Sequence, residues 1–414
     1  MADIQPQPAS ESGWWSSGKL SLLFFSMGQG DCCVITCPNG KQVMIDCGTK
    51  NLEKEGYSDV IEHLRSRDVL AADWISFNEI EALVLTHSDK DHYNRITEIL
   101  EGLTVKKVYF SEPALTDPAR RDAYLKGPLQ SYHEGSANLT IYEDLKVEEL
   151  CCVTTRASAK QIKVDKWTPP FQEKQHKEVI FKYANPSKTL LEIVTVPKYD
   201  FSVSILAGNV SKEPGDKSAD EHNPASLVTL VKMGDIRILI CGDATSSTEM
   251  YLLNYHSDKL KDLKLLQVPH HGSTTSSTAA FINLTKPKEI IISVKQDEHT
   301  HNLPRGEIVK SYENSGYLES IDDAWNISYW NRSTKSELIK RKASWMKTPG
   351  LIEQSTKNKN LFVRKEPDRD GVKILDGIKK VSTSTAFYML YELLTLKKIK
   401  QTGMHGHCWF LYPE

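Results

Sequence analysis

The sequence predicts an α/β protein, strands followed by strand–helix–strand units, with its polar chemistry gathered at strand ends. Three observations carry this. The apolar run Leu83-Val84-Leu85 stops at His87-Ser88-Asp89-Lys90-Asp91-His92, which is too dense in metal-capable side chains for one face of a strand. Similar polar breaks follow or border apolar runs at Asp46, at Asn223 (or His222), at Asp243 and at His270-His271. Both halves of the chain share one rhythm, strands first and then alternating strands and helices.

Residues 1–18 are polar, carry Pro and Ser, and read as a flexible tail without the positive start of a signal peptide. Strands are expected at Leu20–Ser26, Cys32–Cys37 and Gln42–Ile45, because turn sequences Gly28-Gln29-Gly30-Asp31 and Pro38-Asn39-Gly40 punctuate them. A helical pattern spans roughly 52–72, with Val60, Leu64 and Ala71 among charges. Strand Leu83–Leu85, the His/Asp loop, a helix from Tyr93 to about Leu100 and strand Val105–Phe110 follow.

Residues 112–180 are weakly patterned and contain Pro169-Pro170, which suggests an insertion or lid. Strands return at Leu190–Val196, Val203–Ala207, Leu227–Val231 and Ile236–Cys241. Helix Ser247–Leu260, strand Leu263–Val268, helix Ser277–Leu284 and strand Glu289–Val294 complete the regular part. The main domain is expected over 19–330, and 331–414 reads as a basic C-terminal extension. From Arg332 to Lys365 ten Lys and Arg are opposed only by Glu337 and Glu353, with Trp345 and Phe362 between them. That mixture suits a nucleic-acid-facing segment; a solvated helix-and-loop extension is the competing account. An amphipathic helix is expected over Phe387–Leu396, and His405-Gly406-His407 resembles a metal pair, with a frayed end as the favoured account.

Composition narrows the classes. At 414 residues the chain can bury a large core, and 39% hydrophobic with 26% charged residues is ordinary for a globular protein. A net charge of −2 gives no global steering towards nucleic acid. The run Leu20–Phe25 is too short to span a bilayer, so no membrane partner is expected. Cys32, Cys33, Cys37, Cys47 and Cys241 lie in strand-like runs without a Cys-x-x-Cys pair, so they read as reduced core thiols and point to the cytoplasm.

Imidazole and carboxylate together suit zinc, manganese or iron. The loop His87-x-Asp89-x-Asp91-His92 is similar to the signature metal loop of the metallo-β-lactamase fold. More narrowly, Gly28-Gln29-Gly30-Asp31, Asp46-Cys47-Gly48, Gly242-Asp243-Ala244 and His270-His271-Gly272-Ser273 resemble the ComEC-like domain of competence (DNA-uptake) proteins. The resemblance covers roughly residues 19–330, in order, spacing and flanking strands.

What the resemblance implies is an αββα sandwich, two sheets faced by helices, with two divalent ions, zinc or manganese, at one sheet edge. His87 and Asp89 would bind one ion, Asp91 and His92 the second, with Asp243 bridging and His270 the remaining ligand. The wider family usually has His where Asp89 and Asn223 stand, and the uptake pattern begins with Asp where Ser26 stands. The added oxygen ligands shift the expected metal from zinc towards manganese.

The chemistry expected from such a centre is hydrolysis of a phosphodiester by a metal-activated hydroxide. Asp91 would orient the nucleophile as well as ligate. His271 or His301 would protonate the leaving oxygen, a surface position being the bland account of His301. Ser273 and Thr274, at an expected helix start, would bind phosphate, a plain capping role being the competing account of Ser273. Asn223 belongs with them on the substrate side.

The leading expectation is therefore a nuclease acting on nucleic acid, DNA in particular. Alternatives are a cyclic or short oligonucleotide phosphodiesterase closed by the 112–180 lid, or a carbonyl-ester hydrolase of the same fold. A fourth reading is a non-catalytic, metal-stabilised module bound to a partner protein in a larger assembly.

Overall fold

Hydrophobic alternation along the strands builds two sheets with apolar faces turned to each other. The computed structural model describes residues 18–49 except 26 and 28, 79–96, 104–111, 146–154, 179–183, 191–219, 222–294 and 303–319. It also describes the strands within 326–342, 352–364 and 399–412. The expected tail, the 52–72 and 387–396 helices, most of the 112–180 segment, His301, His405 and His407 lie outside the described residues.

The first sheet contains β1 (Leu20–Phe24), β2 (Cys33–Thr36), β3 (Gln42–Ile45), β4 (Glu79–Leu85), β5 (Thr104–Ser111), β6 (Lys146–Thr154) and β7 (Val179–Tyr183). The second contains β8 (Leu191–Val196), β9 (Phe201–Ala207), β10 (Val228–Met233), β11 (Ile236–Ile240), β12 (Leu265–Gln267) and β13 (Glu289–Ile292). Two hairpins follow, β14 (Asn326–Asn331) with β15 (Ser336–Lys342) and β16 (Ile352–Gln354) with β17 (Phe362–Arg364). The chain then returns with β18 (Ile399–Gln401) and β19 (Cys408–Tyr412). The strand order is β19-β1-β2-β3-β4-β5-β6-β7 in one sheet and β18-β13-β12-β11-β10-β9-β8 in the other.

Between the sheets lies one core, where Leu22, Phe24, Ile45 and Val84 from the first meet Val203, Ile205, Ile238 and Leu265 from the second. The outer face of the second sheet packs Leu230, Leu239 and Leu266 against α2 (Ser246–His256), α3 (Ala279–Thr285) and α4 (Gly306–Asn314), through Leu252, Phe281 and Val309. A four-residue helix α1 (Lys90–Tyr93) follows β4. This is the expected two-sheet α/β sandwich. Cys32, Cys33, Cys37, Cys47 and Cys241, together with Cys151, are buried thiols that pack as small hydrophobes.

Two expectations change. The 112–180 segment is no plain insertion, because β6 and β7 extend the first sheet in parallel beyond β5. Their charges (Lys146, Glu148, Glu149, Lys182) hide the apolar alternation that marks a strand. The separate 331–414 extension is also corrected at its end. β18 pairs with β13 and β19 with β1, so the last strands belong to the two sheets, and Phe410 and Tyr412 are buried in the main core. Within the basic stretch, Lys340, Arg341 and Lys342 lie on β15 of a hairpin rather than on a helix.

Parallel pairing brings strand ends to one edge. β3 runs parallel to β4, and β11 to β12, so the residues after β3, β4, β11 and β12 emerge together. A backbone hydrogen bond links the two sheets there, Leu227 N donating to Thr86 O at 2.8 Å.

Candidate metal centre

Asp243 stands at the middle of this edge, directly after β11, and its two carboxylate oxygens face different neighbours. Oδ2 lies 3.6 Å from His87 Nε2 and 3.5 Å from His270 Nε2. Oδ1 lies 3.3 Å from His92 Nε2 and 3.4 Å from His271 Nε2. Each side adds a second carboxylate: Asp89 Oδ2 is 3.8 Å from His87 Nε2, and Asp91 Oδ2 is 3.6 Å from His271 Nε2.

These side chains fit a metal. His87 Nε2, His92 Nε2, His271 Nε2 and Asp243 Oδ1 are buried atoms with no hydrogen-bond partner, an expensive state unless another group satisfies them. Two ligands on a tetrahedral ion with bonds of about 2.1 Å sit about 3.4 Å apart, the spacing seen here.

The far edges of the rings are committed elsewhere. His92 Nδ1 lies 2.7 Å from Asp46 Oδ2, and His271 Nδ1 2.7 Å from Ser293 O. Both partners only accept, which assigns a proton to Nδ1 and leaves Nε2 as the ring nitrogen that faces Asp243. Thr86 Oγ1 donates to Asp46 Oδ2 at 2.6 Å, so it can only accept from His87 Nδ1 at 3.1 Å. Thr86 N also donates to Asp46 Oδ1 at 2.7 Å. One buried carboxylate thus orients two of the imidazoles. Asp46 reaches this place with φ +54°, a left-handed conformation uncommon outside glycine.

Charge within the cluster is mutually held. Burial works against the Asp243 carboxylate, but His271, His270, His92 and His87 outweigh it and keep it well below the usual range. Burial likewise opposes charge on His271, but Asp243, Asp91 and Asp31 raise it to about 9. His92 is raised in the same way by Asp243 and Asp46.

The structure therefore brings His87, Asp89, Asp91, His92, Asp243, His270 and His271 together. His271, expected as a proton donor, is a buried member of the cluster rather than an outward-facing group. Asn223 meets the cluster too, with Nδ2 3.3 Å from His270 Nε2. Ser273 and Thr274 do not start a helix: α3 begins at Ala279 with Thr278 as its cap, and Ser273 N instead donates to His270 O.

Two residues carry more than the sequence reading gave them. Asp31, Asp243, His92 and His271 offer ligand atoms all within 4.8 Å of one another. Asp31 Oδ2 lies 3.8 Å from His92 Nδ1 and 3.9 Å from His271 Nδ1, and Oδ1 accepts from Gln267 Nε2 at 2.8 Å. Burial raises its carboxyl against the pull of both rings. Asp46 is the other. The signal for both was a glycine-flanked aspartate beside a strand, visible in Gly30-Asp31 and Asp46-Cys47-Gly48.

The chain is 22% identical over 292 residues to ComE operon protein 3 of Bacillus subtilis, covering 69% of this chain and 30% of that protein. It is 33% identical over 104 residues to the uncharacterized protein YcaI of Escherichia coli, covering 25% of this chain and 14% of the other. The chain thus spans less than a third of the length of these relatives. Among solved structures, the short form of human tRNase Z superposes with a TM-score of 0.37 at 16% identity, covering 66% of this chain and 91% of that one. Among the described residues no helix is long and apolar enough to cross a membrane. The family model "Metallo-beta-lactamase superfamily" matches residues 26–294, a span that contains every residue of the cluster, and the chain belongs to that superfamily.

Proposed function

We propose that this protein is a metal-dependent phosphodiesterase acting on nucleic acid, with DNA as the leading substrate. The observation that carries the reading is the pairing of imidazoles and carboxylates on both sides of Asp243. A two-sided cluster of this kind suits phosphodiester hydrolysis, where the attacking and leaving oxygens both need stabilisation. When bound, two divalent ions, zinc or manganese, would polarise the phosphoryl oxygen and supply a nucleophile at neutral pH. His87, His92, His271, Asp89, Asp91 and Asp243 would hold them.

The chain's own groups do the rest. The Asn223 amide, beside His270 at the rim, can donate to a phosphoryl oxygen. Ser273 and Thr274 lie half-buried on the loop beyond and offer hydroxyls to the same anion. Asp46 and Thr86 hold the His87 and His92 rings still, so little reorganisation is needed when substrate arrives. Support for nucleic acid as the substrate class comes from the competence-like motifs and from the similarity to ComE operon protein 3.

The test is cleavage by metal-stripped protein refilled with Mn²⁺ or Zn²⁺. Duplex DNA, single-stranded DNA and cyclic dinucleotides are compared, with Asp91→Ala as control. Metal-dependent cleavage of a DNA substrate, lost in the variant, is expected. Preferential cleavage of the cyclic dinucleotides would shift the substrate to small nucleotides. Metal uptake with no cleavage of any of them would overturn the phosphodiesterase reading.

A further inference from the structure

We infer that the adjacent residues His270 and His271 serve two different ions, His270 completing the half-site of His87 and Asp89 and His271 that of His92 and Asp91. The inference rests on the dinuclear reading above but not on the choice of substrate. Neighbouring side chains on a regular strand or helix cannot reach both oxygens of one carboxylate from opposite sides. Here the backbone makes it possible. His270, His271 and Gly272 have φ of +49°, +51° and +78°, three left-handed residues in succession.

For the two histidines that conformation is unfavourable, so the fold must impose it. His270 N donates to Gly242 O at 2.9 Å, Ser273 N to His270 O at 2.8 Å, and Arg305 N to Gly272 O at 2.9 Å. Pro304 closes over Gly272, where a side-chain carbon would lie 2.7 Å from its Cβ. The turn points His270 to Asp243 Oδ2 and His271 to Asp243 Oδ1.

The outcome is two matched half-sites, each with two Nε2 atoms, one aspartate and one oxygen of Asp243. His270 is also presented for ligation. Its Nδ1 lies 2.6 Å from Thr275 Oγ1, and its Nε2 faces the Asn223 amide nitrogen, a donor. A donor at Nε2 calls for the lone pair there and the proton on Nδ1, given to Thr275. Position 223 therefore borders the same half-site, close enough for an imidazole placed there to stand in for His270.

Metal content and Mn²⁺ EPR test this without reference to activity. The metal-stripped full-length protein is refilled with Mn²⁺ and the ions per chain are counted. Two ions and an exchange-coupled spectrum are expected for the wild type. His270→Ala and the milder His270→Gln should each hold one ion with the six-line spectrum of an isolated centre. His271→Ala should lose the other ion. Asn223→His in the His270→Ala background should restore two. Two ions bound by His270→Ala with wild-type affinity would overturn the assignment, and so would failure of Asn223→His to restore the second. One ion in the wild type would instead sink the dinuclear reading itself, before any variant is compared. Melting curves of each variant verify that the fold is intact.

Discussion

Asp46 Oδ2 lies 2.7 Å from His92 Nδ1 across 46 residues of sequence, and the same oxygen accepts the Thr86 hydroxyl that receives His87. One side chain just after β3 thus fixes two imidazoles, His87 beyond the end of β4 and His92 on α1. Asp46→Asn replaces an acceptor with an amide that can turn its donor towards Thr86 or His92. Metal affinity is expected to fall about 10–100-fold, the usual cost of losing such a supporting partner. Calorimetric titration with Zn²⁺ measures it; affinity within threefold of wild type would show that the rings hold their orientation unaided.

Gly48 lets the β3 loop lie against the start of α1. A side-chain carbon there would sit 2.4 Å from the Asp91 carbonyl carbon and 2.5 Å from His92 N, both backbone atoms. Gly48→Ala is expected to displace Asp91 and His92, with overpacking worth about 1–3 kcal/mol and weaker metal binding. Urea unfolding and metal titration of the same preparation report the two effects. An unchanged midpoint together with unchanged affinity would mean that the loop yields without moving the ligands.

Phe410 on β19 is buried and meets Phe24 edge-on, with ring centroids 5.9 Å apart. Phe410→Ala should destabilise the fold by about 3–5 kcal/mol, the range for truncating a buried aromatic side chain. Loss of less than about 1 kcal/mol in urea unfolding would show that β19 contributes little to the main core.

Glu249 is fully buried on α2 and accepts Ser277 N at 2.5 Å and Thr278 N at 2.9 Å. Burial pushes its carboxyl up to about 7, against the pull of those N–H donors. A raised carboxyl binds its proton more tightly in the folded state. Its stabilising contribution is therefore full below the ordinary value near 4.5 and is lost as pH rises through about 7. The gap corresponds to about 3 kcal/mol. The stability of wild type relative to Glu249→Gln should fall by roughly that amount between pH 5 and pH 8. A flat difference across the range would show Glu249 ionised throughout.

The local pattern of residues determined much of this protein. Strands such as Gln42–Ile45 and Phe201–Ala207 were legible because apolar runs end in turn residues or carboxylates. The metal-type residues stood at those ends, so His87, Asp89, Asp91, His92, Asp243 and His270 could be read as one set. Long-range pairing decided the rest. β6 is charged and β19 follows a His-Gly-His stretch, so only their partners β5 and β1 identify them as sheet strands. The division between His270 and His271 is likewise invisible in sequence, where both are simply histidines after a strand. It depends on a left-handed turn imposed by Gly242, Pro304 and Arg305, residues 28 to 35 positions away from them in the chain. Local sequence fixes which groups reach the edge of a sheet; which oxygen of Asp243 each one faces is set by backbone hydrogen bonds from elsewhere in the fold.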